Sequence, residues 1–96
     1  ALSHLPQVAA TALMNVAARL AGESNLDLAG SGLRDTTRLA ASDPDLWSEI
    51  AAANGPELSK AVALLRAELD AAQKALDAAD PLNAFFASGR RWRLKL

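Results

Sequence analysis

Ninety-six residues with a net charge of −1 are enough for one small domain, in which folding buries only about 60–65% of the surface that the unfolded chain exposes. With no cysteine, disulfides and thiolate metal sites are excluded. No apolar stretch approaches the ~20 residues of a membrane span and nothing resembles a signal peptide, so a soluble, cytoplasmic protein with no membrane partner is expected. Half the residues are apolar, but Ala dominates them and strand formers are scarce, which predicts an all-α chain of about five helices. Its thin core should be completed against a partner.

In chain order, Leu5, Val8, Ala9, Ala12, Leu13, Val16 and Leu20 recur at three- and four-residue steps, predicting an amphipathic helix with one buried stripe. Ser3 is its expected N-cap, with Pro6 inside the first turn, and Gly22 its expected end. Residues 22–33, rich in Gly, Asn, Asp and Ser, read as a loop with one turn around Leu26 to Leu28. A short helix should follow from Arg34 to Ala41. Asp43 and Pro44 form a cap followed by proline at the first helical position, predicting a helix from residue 44 to about residue 53. Asn54 and Gly55 should stop it.

The longest helix should start at Pro56 and run to about Ala79. Leu58, Val62, Leu65, Leu69, Ala72 and Leu76 give it a heptad-like seam that needs a facing helix, in the same chain or in a second copy. Asp80 and Pro81 are expected to cap a last short helix carrying Leu82, Phe85 and Phe86 and ending near Gly89. Beyond it, Arg90, Arg91, Arg93 and Lys95 make a basic tail on an acidic body that holds six basic against eleven acidic groups. The tail reads as a solvated terminus or one docked on its own acidic surface; no nucleic-acid-binding module accompanies it.

Few motifs carry chemistry. Gly30-Ser31-Gly32 lacks the third glycine of a dinucleotide fingerprint, because residue 35 is Asp, and no strand precedes it. One histidine and no cysteine leave no catalytic triad, and the acidic residues are scattered rather than gathered around a metal. Arg34 and Arg38, four residues apart, allow two readings. A guanidinium fork beside a polar loop suits a carboxylate clamp, whereas spacing alone favours an ion pair to Asp35, Asp43 or Glu49. His4 reads as a capping or surface residue, or as a ligand contact. Trp47, three residues after Pro44, reads as a core residue that fixes the short helix against the long one.

The run Gly32-Leu33-Arg34-Asp35-Thr36-Thr37-Arg38, continued by Leu39, Ala40, Ser42, Asp43, Pro44, Trp47, Ile50 and Asn54, together with Ser3-His4-Leu5-Pro6, resembles the C-terminal domain of prephenate dehydrogenases. The likeness is dense in the first half and thins after about residue 55. It implies a 6-phosphogluconate-dehydrogenase-like helical dimerisation domain that forms a homodimer and lines an active site. A separate N-terminal Rossmann domain in that family binds NAD, or NADP, and carries the histidine base. The implied reaction is oxidative decarboxylation of prephenate to 4-hydroxyphenylpyruvate in tyrosine biosynthesis. Arg38 would then hold a substrate carboxylate, His4 and Gln7 would lie near the substrate, and Trp47 would shape the wall behind it, with no catalytic residue in this chain.

Gln7 departs from the form in which that position is a second histidine. An amide offers a donor and an acceptor, which suits the ammonium of arogenate and leaves the choice between the two substrates open. No Rossmann half precedes Ala1, so the chain by itself is expected neither to bind NAD nor to turn over. Two readings from other classes compete: a helical interaction module with no enzymatic role, and a small nucleic-acid binder using Arg34, Arg38 and the basic tail.

Overall fold

The computed structural model describes residues 2–96, which contain helices and no strand. Five α-helices and two 3-10 helices follow one another, and the chain divides after Val62 into two compact units. Among the described residues no helix is long and apolar enough to cross a membrane.

Helix α1 spans Leu5–Ala21 and ends, as its glycine predicts, at Gly22, whose φ of 75° suits a residue without a side chain and whose N–H donates to Ala18 O at 2.9 Å. Its N-cap is His4, not Ser3, and His4 makes no side-chain capping bond. The reason lies in Pro6. A cap at Ser3 would put Pro6 at the third helical position, where a backbone N–H should donate to the cap, whereas a start at Leu5 leaves the missing donor among those that have no partner anyway.

The buried stripe of α1 also differs from the expected one. Gln7 and Ala10 are buried and Met14, Ala17 and Ala18 half-buried, while Leu13 and Val16 are exposed and Leu20 is 84% exposed. This small-residue face packs on the two 3-10 helices, Glu23–Leu28 and Arg38–Ala41. Ala lets those backbones come close. The large aliphatic side chains are left facing outward.

The helix expected from Arg34 to Ala41 starts earlier and breaks: α2 spans Ser31–Thr36, and the 3-10 helix Arg38–Ala41 follows after Thr37. Two consecutive threonines explain the break. Thr36 Oγ1 donates to Gly32 O at 2.7 Å and Thr37 Oγ1 to Leu33 O at 2.6 Å, so side chains compete for the carbonyls on which the helix would propagate. Helix α3, Pro44–Ala53, has the expected boundaries, with Asp43 Oδ1 accepting from the Asp45 N–H at 3.0 Å.

Helix α4 spans Gly55–Asp77. Its seam is buried at Leu58, half-buried at Val62 and Leu65, and then bare, with Leu69 59% and Leu76 64% exposed. Asp80 does not cap the last helix. Its N–H instead closes α4 by donating to Ala75 O at 2.8 Å, with Ala79 at a φ of 56°. Helix α5 therefore starts later, spanning Asn83–Arg93, and it runs through Gly89, where its last turn gathers arginines at the negative end of the helix dipole. In this second unit Phe85 and Phe86 meet edge to face at 5.3 Å, and the Arg91 guanidinium lies 5.4 Å from the centre of the Trp92 ring.

Ala79 holds the left-handed backbone conformation that favours glycine. Ala79→Gly should therefore raise the unfolding free energy by about 0.5–1 kcal/mol, read from the midpoint of a urea melt at unchanged slope. A lower midpoint would count against this account of the α4 terminus.

Candidate functional site

In the first unit, one face of α1, the end of the 3-10 helix Arg38–Ala41 and the start of α3 line an open cavity of about 550 Å³. That is within the range of small-molecule clefts, about 300–1,000 Å³. Helical periodicity puts Gln7, Thr11 and Asn15 on one side of it at four-residue steps, and Trp47 and Ser48 face them from α3. Leu58, from the first turn of α4, contributes apolar wall.

Three of the four candidate residues meet here. His4 and Trp47 pack edge to face with ring centres 6.0 Å apart, and both line the cavity. Gln7, only 7% exposed, lines it between them in sequence, and its Nε2 donates to Leu39 O at 2.6 Å. The same carbonyl accepts from Ser42 Oγ at 2.7 Å, so one backbone oxygen ties α1 to the turn that leads into α3. Among the described residues two buried side-chain atoms have no hydrogen-bond partner, His4 Nδ1 and Gln7 Oε1.

Arg38 does not join them. It opens the 3-10 helix one residue before Leu39, its side chain is exposed, and it is not among the residues lining the cavity. The alternative ion pairs are not formed either: among the described residues the one salt bridge joins Lys60 to Glu57 at 3.6 Å. Arg34 lies on α2 and borders a separate cavity of about 280 Å³ with Met14, Leu26 and Thr37. The break at Thr37 thus places Arg34 and Arg38 on different elements.

Three lining groups escaped the sequence reading. Thr11 and Asn15 follow Gln7 at helical spacing, a signal that becomes visible once Gln7 is placed on the inner face. Asp43 reads as a helix cap, and it serves as one, yet it also borders the cavity as its one carboxylate. No Lys or Arg lines the same space, and among the described residues no three His, Asp or Glu side chains gather as a metal site.

Gly30 and Gly32 flank the start of a six-residue helix with no strand before it, so the glycines do not shape a phosphate-binding turn. A family model described as prephenate dehydrogenase, dimerization domain, matches residues 1–87. No solved structure matches the chain.

Proposed function

Since this chain belongs to the prephenate dehydrogenase dimerization-domain family, we propose that it forms the homodimer scaffold of a prephenate or arogenate dehydrogenase and supplies one wall of its substrate site. The observation that carries the reading is the cavity where His4, Gln7 and Trp47 come together from two helices that are far apart in sequence. An aromatic wall with a few polar atoms fixed by packing suits a small carbocyclic acid. His4 and Gln7 would orient the substrate by hydrogen bonds, and Trp47 would cover its ring. Arg38 would bind a carboxylate that extends out of the cavity mouth.

NAD, or NADP, would be held by another domain, and that domain would supply the redox chemistry and the general base. The enzyme would act in tyrosine biosynthesis in the cytoplasm. Nucleic acid and membrane have no part in this reading.

The complete enzyme should reduce NAD or NADP in a reaction that depends on prephenate or arogenate and releases carbon dioxide. Absence of turnover on both substrates with both nucleotides would overturn the proposal. If turnover is found, Trp47→Ala should lower kcat/KM by about tenfold or more, as expected for removing a large ring from a binding wall.

A further inference from the structure

We propose that the separate cavity bordered by Arg34 is a binding site for a free α-amino acid with an apolar side chain. It stands apart from the dehydrogenase reading, because the two cavities share no lining residue. Its walls follow from the turn at Gly22. The chain reverses there, so the 3-10 helix Glu23–Leu28 packs back on α1. Leu26 and Met14, both half-buried, thereby come to line one space with Leu33 of α2. Thr37 closes it from behind, only 7% exposed, and its hydroxyl already donates to Leu33 O.

Two lining residues are charged, and they have opposite signs. Asp27 comes from the 3-10 helix and Arg34 from α2, and both border the cavity while staying exposed, so they stand at its solvent side. An ion pair between them would neutralise that edge, but none forms: among the described residues the one salt bridge joins Lys60 to Glu57. An apolar interior edged by one free carboxylate and one free guanidinium complements a molecule that carries an ammonium, a carboxylate and an apolar group on one carbon. The fork of Arg34 binds both oxygens of the ligand carboxylate, and Asp27 accepts from the ammonium. A simple acid or amine would leave one of the two charges without a partner. Met14, unbranched and polarisable, adapts to apolar side chains of different shape. At about 280 Å³ the space lies just below the range of drug-sized clefts, as a ligand this small requires. Charges in contact with water contribute little each, so binding should be in the millimolar range.

The test is an NMR titration of the isotope-labelled full chain with L-leucine, with 4-methylpentanoate, which lacks the ammonium, and with 3-methylbutylamine, which lacks the carboxylate. L-Leucine should give saturable shifts at the amides of Leu26, Leu33 and Thr37, and each analogue should bind about threefold or more weakly. Arg34→Gln should reduce L-leucine to the affinity of the amine, and Asp27→Asn to that of the acid. Both residues are exposed and unpaired among the described residues, so the substitutions should leave the rest of the spectrum in place. The comparison of the three ligands on the unsubstituted chain needs no variant at all. Absence of saturable shifts at these amides, equal binding of L-leucine and both analogues, or wild-type affinity in both variants overturns the proposal, and none of these results bears on the dehydrogenase reading.

Discussion

Arg38→Lys in the complete enzyme should raise KM for the dicarboxylate substrate by about tenfold or more while leaving the melting temperature unchanged. Two observations separate the effects. Arg38 is exposed and forms no ion pair among the described residues, so its removal strips nothing from the folded chain. Its side chain does not line the cavity, but its backbone is one residue from Leu39, whose carbonyl accepts from Gln7 there. A planar fork binds both oxygens of a carboxylate, whereas an ammonium engages it as a point charge. A hydrogen bond to a charged group contributes about 1.5–3 kcal/mol, enough for the expected change. Unchanged kinetic constants would remove Arg38 from the site. A fall in melting temperature would assign it a structural role instead.

The elements that the sequence announces most clearly are those whose local chemistry is unopposed. Asp43-Pro44 specifies the start of α3 and Gly22 the end of α1, because a carboxylate cap, a fixed proline φ and a glycine in the left-handed region each act within one turn. The misread boundaries are places where two local signals compete. Ser3 is a good cap whose third helical neighbour is proline. Asp80 has the right side chain to start α5, but it belongs to the turn that closes α4, and Leu82 takes the cap position. Gly89 is weak as a stop when no cap geometry follows it, and α5 continues to Arg93.

The candidate site was legible by family motif more than by pattern. Periodicity placed Leu13, Val16 and Leu20 on the buried face of α1, yet the face that closes on the rest of its unit carries Gln7, Ala10 and Met14. Hydrophobic periodicity finds an apolar stripe but does not say which partner covers it. Here the small residues meet the chain's own 3-10 helices, and that choice turns Gln7 inward, where its amide bonds to Leu39 O. The separation of Arg38 from the cavity was not readable either, since it follows from threonine hydroxyls that end α2 one residue earlier.

Those outward-facing aliphatic residues lead to the second large effect: melting of this chain should depend on its concentration. Among the described residues the buried hydrophobic ones are Ala10, Leu58 and Ala61, and no large side chain is fully buried. By contrast Leu13, Val16 and Leu20 of α1, Leu64, Leu69 and Leu76 of α4, and Phe86 and Trp92 of α5 are all exposed. Burial of a leucine or phenylalanine side chain contributes about 1.5–3 kcal/mol, so leaving these surfaces in water forgoes more stabilisation than a domain of this size can spare. A second copy is the economical cover, because the seam on α4 is self-complementary at heptad spacing and a two-fold axis sets each patch against its own image. Each tenfold rise in concentration should favour the folded dimer by about 1.4 kcal/mol, and light scattering should give a dimeric mass over about a hundredfold range. Leu69→Asp with Leu76→Asp would set like charges on both sides of the seam and should lower the mass to that of a monomer. A monomeric wild-type mass with concentration-independent melting would mean that the seam closes within one chain, and it would remove the shared scaffold on which the proposed active-site wall is built.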